Sequence, residues 1–155
     1  MQLTLRNYCP GDFETLYSID QSCYPRGIAY SRRTLTWFLA MPGVDCVVAQ
    51  AEPESSTSTV GFIITEAGGA AGHIITLDVV SEHRRSGVGT ALLREAERRL
   101  GERGVRRVSL ETATSNEAGV AFWQRHGYQT VVLVPGYYLG RIDAFEMIKN
   151  LATFR

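Results

Sequence analysis

Apolar residues recur along this chain at two spacings, alternate positions and every third or fourth position, and the changes between them mark its elements. Gln2 to Tyr8 alternates and predicts a strand. Asp12 to about Cys23 carries Phe13, Leu16, Tyr17 and Ile19 at helical spacing. Ser31 is suited to cap a second helix through Leu35, Phe38 and Leu39, with Pro42-Gly43 as its stop. Val44 to Ala51, Thr59 to Glu66 and His73 to Val80 then read as three successive strands joined as antiparallel hairpins. Pro53 to Thr59, rich in Ser and Thr, reads as an exposed hairpin loop, and the glycines and alanines of Ala67 to Gly72 mark a second soft connection. From about Gly87 to Leu100, Val88, Leu92, Ala96 and Leu100 recur every fourth residue opposite a face of arginines and glutamates, and Gly101 is the expected stop. Val105 to Thr112 predicts a strand that a right-handed helical crossover sets parallel to its predecessor. Thr114-x-x-Glu117 reads as a capping box for a helix ending at Gly127. Tyr128 to Val134 and Arg141 to Asn150 are two last strands joined at Pro135-Gly136. The expectation is an α+β layered domain: a mixed, mostly antiparallel sheet of seven strands, about four flanking helices and a central parallel strand pair.

Composition narrows the class. The 155 residues suit one domain, residues 1–155, and a core of that size needs no disulfide or metal staple. Sixteen basic and sixteen acidic residues cancel, which argues against a direct nucleic-acid partner. No apolar run approaches the roughly 18 residues that cross a bilayer, and Met1-Gln2-Leu3-Thr4 does not begin a signal peptide, so no membrane association is expected. Cys9, Cys23 and Cys46 have no C-x-x-C spacing and read as free thiols of a cytoplasmic protein. His73, His83 and His126 are scattered without metal-ligand spacing, so no metal is expected.

The chemistry concentrates in Arg84-Arg85-Ser86-Gly87-Val88-Gly89-Thr90, between a strand and a helix. A helix start leaves backbone N–H groups unpaired and carries about half a positive charge. Gly87 and Gly89 admit a bulky phosphate, and Arg84 and Arg85 add charge, so a pyrophosphate suits the place. A Walker loop would need a Lys after the last glycine, and a dinucleotide fingerprint would need a third glycine where Leu92 stands.

The Arg-x-x-Gly-x-Gly pattern at a strand-to-helix junction resembles the acetyl-coenzyme-A loop of the GNAT acyltransferase superfamily. Thr76-Leu77-Asp78-Val79-Val80 resembles the strand before that loop. Leu110 to Asn116 and Ala121 to Tyr128 resemble the family's next strand and helix. The resemblance is closest over Ile74 to Tyr128, and element order extends it over the chain. Leu110-Glu111 with Ser115-Asn116-Glu117-Ala118, and Tyr137-Tyr138 with Asp143-Ala144, are similar to the N-terminal protein acetyltransferases, including the bacterial ribosomal-protein alanine type.

That resemblance implies a GNAT-like fold, acetyl-coenzyme A as cosubstrate, and site residues. Leu77, Val79, Val80, Arg84, Arg85, Ser86, Gly87, Val88, Gly89, Thr90, Asn116 and Trp123 would hold the cofactor, with a backbone N–H around Val79 or Val80 polarising the acetyl carbonyl. Asn116 has helix capping as its plainer role. Tyr24, Pro25 and Tyr30 in one loop, and Tyr137 and Tyr138 in a late hairpin, would clamp the substrate peptide. Glu111 is the expected base, acting through a water, with ion pairing to Arg107 as the bland alternative. His73 could cooperate with Glu111 or be a surface histidine beside Gly72. Trp123 stands where the family has a tyrosine acid. An indole is no practical proton donor, so Tyr138 is the alternative acid, and Trp123 is left to pack on the cofactor arm.

The implied reaction is direct transfer without an acyl-enzyme, to a protein or peptide N-terminus. An α-amine is roughly 10–15% neutral at pH 7 and a lysine side chain only about 0.04%, so an α-amine needs less help from a base. A small amine (amino acid, polyamine or drug) is the alternative substrate, and a non-catalytic acyl-coenzyme-A sensor the alternative class. The expected state is a monomer or homodimer.

Overall fold

The computed structural model describes residues 2–52 and 58–152, so most of the predicted Pro53–Thr59 loop lies outside the described residues. The chain runs β1 (Gln2–Asn7), α1 (Phe13–Cys23), α2 (Arg32–Ala40), β2 (Val44–Glu52), β3 (Ser58–Gly68), β4 (Ala71–Val79), α3 (Val88–Glu102), β5 (Arg107–Ala113), α4 (Glu117–Arg125), β6 (Gln129–Tyr138) and β7 (Ile142–Asn150). Among the described residues one sheet orders the strands β1-β2-β3-β4-β5-β7-β6, and only the β4–β5 pair is parallel. The seven-stranded α+β architecture expected from the sequence is the one observed.

The central strands of the sheet are buried on both faces, which explains why β2 and β3 read as near-continuous apolar runs. One face carries Val47, Ala49, Ile63 and Ile74 against Val88, Leu92, Leu93, Ala96 and Leu100 of α3 and Trp123 of α4. The other carries Cys46, Val48, Phe62 and Ile64 against Leu16 and Ile19 of α1 and Leu35 of α2. Ser31 caps α2 as its side chain predicts, its Oγ accepting from Thr34 N–H at 3.1 Å.

Four local expectations are corrected. Helix α3 passes through Gly101 to Glu102, because the left-handed turn that ends it falls at Gly104, φ +89°. Asn116, not Thr114, caps α4: its Oδ1 accepts from Gly119 N–H at 3.0 Å. Strand β6 runs through Pro135-Gly136 as an irregular stretch, and the hairpin reverses at Leu139–Arg141 instead. The glycine-rich connection after Glu66 is not loose: β3 and β4 stay paired to Gly68↔Ala71, leaving a two-residue turn.

Strands β4 and β5 pair only over Ala71–His73 and Arg107–Ser109. Beyond that β4 runs on to Val79 and β5 to Ala113, so the sheet forks at its middle. The fork positions everything that follows.

Candidate functional site

One arm of the fork is the end of β4. Val80 N–H donates to Val60 O across to β3 at 2.9 Å. Strand residues alternate, so the backbone polar groups of Val79, Leu77 and Ile75 turn away from β3 into the fork. The expectation for Val80 is thereby corrected: its N–H is committed to the sheet, and Val79 is the residue whose N–H faces the fork. On the carbonyl side, Tyr30 Oη donates to Ile75 O (3.1 Å) and Tyr24 Oη to Leu77 O (2.9 Å), while Cys23 Sγ (3.4 Å) and Arg84 Nε (3.2 Å) donate to Val79 O. Tyr24 and Tyr30 thus spend their hydroxyls fastening the α1–α2 loop to β4.

Below that arm lies the start of α3. Gly87 is its N-cap, left-handed at φ +89° and without a side-chain cap. A Cβ there would meet open space, so the backbone is accessible to a bulky group. Arg85 is also left-handed, φ +61°, an uncommon state for a residue with a Cβ. An uncapped helix start beside a left-handed residue and two arginines is a built place for a polyanion. Ser86 donates to His83 O, Thr90 Oγ1 sits 3.1 Å from His126 Nε2, and Val88 is buried under the loop. Gly89 faces Phe122, whose ring would lie 3.4 Å from a Cβ there. Phe122 is therefore the aromatic residue of α4 that meets the loop. Trp123, expected on the cofactor arm, is instead 8% exposed, its ring edge-on to Phe122 and Tyr128 in the core. The sequence carried a signal: Phe122 and Trp123 are consecutive on α4, about 100° apart around the helix, so only one of them can face the loop.

The fork's vertex holds the titratable groups. His73 Nε2 lies 2.8 Å from Glu111 Oε2, and His73 Nδ1 lies 3.9 Å from Glu66 Oε1. His73 is therefore no surface histidine, and Glu111 pairs with it, not with Arg107, which is exposed. Burial alone would lower the His73 pKa, but the hydrogen bond that His73 donates to Glu111 and the charges of Glu111, Glu66 and Glu146 outweigh it and hold the imidazole above its ordinary value. Glu66 and Glu146 escaped sequence reading because register, not spacing, brings them here: Glu66 pairs with His73 and Glu146 with Glu111.

The late hairpin closes the vertex from the other side. Tyr137 Oη reaches Glu111 Oε1 at 3.4 Å, and Tyr138 Oη reaches Glu111 O at 3.5 Å, both long contacts. Burial raises the pKa of Tyr138. Leu139, exposed at the hairpin tip, comes within 3.1 Å of where a Cβ on Gly27 would be, so hairpin and α1–α2 loop touch. Pro25 lies exposed in that loop.

The sequence profile of the acetyltransferase (GNAT) family matches residues 13–128, from the start of α1 to the residue before β6. The chain belongs to that family. Among GNAT relatives, N-alpha-acetyltransferase 30 of Schizosaccharomyces pombe is 35% identical over 77 residues, covering 50% of this chain and 51% of that protein. An uncharacterised N-acetyltransferase of Methanocaldococcus jannaschii is 38% identical over 92 residues, 59% of each. The chain spans about half to three-fifths of the length of these curated relatives. Two GNAT-like crystal structures match nearly end to end with a TM-score of 0.85. They are the ribosomal-protein-S18-alanine N-acetyltransferase from Escherichia coli, at 22% identity over 99% of this chain and 97% of that one, and Ard1 from Thermoplasma volcanium, at 25% over 98% and 99%. The residues present fit coenzyme A: the open, uncapped α3 start for its pyrophosphate, and the inward backbone of Leu77 and Val79 for its amide arm. Among the described residues no group of three or more His, Cys, Asp or Glu is arranged to hold a metal ion, and no helix is long and apolar enough to cross a membrane.

Proposed function

We propose that this protein transfers an acetyl group from acetyl-coenzyme A directly to the α-amine of a protein or peptide N-terminus. The observation that carries the reading is the His73–Glu111 pair at the vertex, at 2.8 Å, where the arm leading to Val79 meets the two tyrosine-bearing loops. Names among the relatives support the substrate class: N-alpha-acetyltransferases recur, and a NatC complex bound to Gag peptide and coenzyme A shares the fold at TM-score 0.85 and 20% identity.

When bound, acetyl-coenzyme A supplies an activated thioester, whose thiolate leaves tolerably near neutral pH. Arg84, Arg85 and the α3 start hold its phosphates, with Asn116 Nδ2, which the helix cap does not use, as a further donor. Val79 N–H polarises the acetyl carbonyl. His73 and Glu111 act as one proton acceptor for the incoming ammonium, through a water: the carboxylate makes the imidazole more basic and fixes its orientation. Glu66 and Glu146 add negative charge that draws a cationic amine to the vertex. Tyr138, whose hydroxyl keeps its proton, is the acid available to the leaving thiolate. No cysteine is acylated.

Thiol release from acetyl-coenzyme A tests the reading against peptides with free N-termini, the same peptides N-terminally blocked but carrying lysine, and small amines. Release with free peptides, lost on blocking, is expected. A higher kcat/KM for polyamines or amino acids would move the substrate to the small-amine class, the reading that the three carboxylates around His73 favour. Binding without turnover of any amine would leave a sensor.

A further inference from the structure

Two aspartates lie in the core beside the amine-side loop, and the mechanism uses neither. Asp20 on α1 is 0% exposed and Asp78 on β4 is 1% exposed. Each has one oxygen with an ordinary partner. Asp20 Oδ2 accepts from Tyr30 N–H at 2.7 Å, and Asp78 Oδ1 accepts from Thr76 Oγ1 at 2.5 Å. Among the described residues, each has one oxygen without a conventional donor, Asp20 Oδ1 and Asp78 Oδ2, and both of these atoms are buried. The two carboxyl groups influence one another's protonation where α1 packs on β4. Two buried carboxylates brought together without a cation cannot both stay ionised, and two of their oxygens can bond only through a proton between them.

We propose that Asp20 and Asp78 share a single proton, and that this proton pins the α1–α2 loop to β4, making the pair a positioning device for the amine-side clamp. Among the described residues no cation is bonded to either carboxyl group. Cys23, Tyr24 and Tyr30 face the pair from α1 and its loop, Cys46 from β2, and Phe62 is the cross-strand neighbour on β3. Burial raises all four of those titratable groups, so they stay neutral. Tyr137 and Tyr138 approach only through Tyr30, and the Arg84 guanidinium is engaged with Val79 O and Cys23. Burial likewise pushes both aspartates up, Asp78 well above the carboxylate range. One proton therefore joins the last turn of α1, the amide of Tyr30 and the strand that leads directly to Val79. Tyr24 and Tyr30 then complete the attachment through Leu77 O and Ile75 O.

The sign of the linkage gives the test. A carboxyl whose pKa is raised by folding stabilises fully below its unfolded value, near 4, and loses that contribution as pH rises toward the folded value. Opening the loop releases the proton, so its opening constant should rise by up to tenfold per pH unit in this window. Asp78→Asn places an N–H where the proton stood and has nothing to release; Asp20→Asn is the second variant should the first fold poorly. The experiment is amide hydrogen exchange of residues 24–30, with denaturant unfolding, on wild type and both variants from pH 5 to 9.5. The wild-type protection factor at Tyr30 should fall with pH by up to tenfold per unit, and in the variants it should stay level. The same slope in wild type and variants would overturn the shared proton. A difference in global stability with no difference at residues 24–30 would overturn the pinning of the loop. The clamp half of the proposal rests on the peptide-side reading of this loop. Since exchange needs no substrate, failure of that reading would show only in the acetylation assay.

Discussion

Glu111→Gln removes one negative charge at the fork's vertex and keeps the shape. The structure makes two demands of it. His73 is held above its ordinary pKa because Glu111, at 2.8 Å, overrides burial. Without that carboxylate, burial is opposed only by the charges of Glu66 and Glu146, so the midpoint of His73 should fall. The imidazole of the variant is then a poorer base. Loss of a positioned base costs on the order of 100-fold in rate, and the deficit should shrink above pH 8, where an α-amine arrives neutral. Stability responds with a definite sign. A raised histidine stabilises fully below about pH 6.5 and loses that contribution as pH climbs through its folded pKa. Replacing a charged hydrogen bond worth about 1.5–3 kcal/mol by a neutral one of about 0.5–1.5 leaves a deficit of about 1 kcal/mol at pH 5.5. For a domain of 155 residues that is about 2–4 °C in Tm, fading toward pH 9. The assays are NMR titration of the His73 ring and kcat/KM for one free-amine peptide from pH 6 to 9.5. An unmoved His73 midpoint would refute the electrostatic argument. A wild-type to variant rate ratio level across that range would remove Glu111 from proton transfer.

Three further changes divide the site by role. Gly87→Asp puts a side chain at φ +89° and a negative charge at the α3 start; coenzyme A affinity should fall at least 100-fold by calorimetry with the circular dichroism spectrum retained, and unchanged affinity would contradict the phosphate assignment. Asn116→Ala removes the α4 cap, costing about 1 kcal/mol in thermal unfolding, and a separate loss in coenzyme A affinity by titration would establish the second use of its amide. Tyr138→Ala should raise the amine KM several-fold, lower kcat through loss of the acid and leave coenzyme A affinity alone, whereas a shift in coenzyme A affinity as well would make the residue structural.

Local chemistry determined much of this protein before any folding was considered. Alternation in β2 to β4 and the four-residue spacing in α3 are consequences of strand and helix geometry, so the seven strands, four helices and parallel crossover were legible. The loop from Arg84 to Gly89 was legible for the same reason: backbone access, unpaired N–H groups and charge are all contiguous there. Helix and hairpin ends were read less well. Gly101, Thr114 and Pro135 are each competent to stop an element, and the choice of Gly104, Asn116 and Leu139 instead depended on how each helix or strand packed. Of the proton-handling groups, Glu111 and His73 were legible through the family resemblance, whereas Glu66, Glu146 and the pairing of all four were decided only by tertiary structure. Glu66, His73, Glu111 and Glu146 come from four strands and meet because the sheet's register sets them side by side, which no one-dimensional spacing encodes. Asp20 and Asp78 carried a partial signal, since Asp20 continues the buried stripe of Leu16 and Ile19 and Asp78 sits in a buried strand. Whether such a residue finds a cation, a donor or another acid across the interface depends on α1 packing against β4, and that contact exists only once the chain has folded.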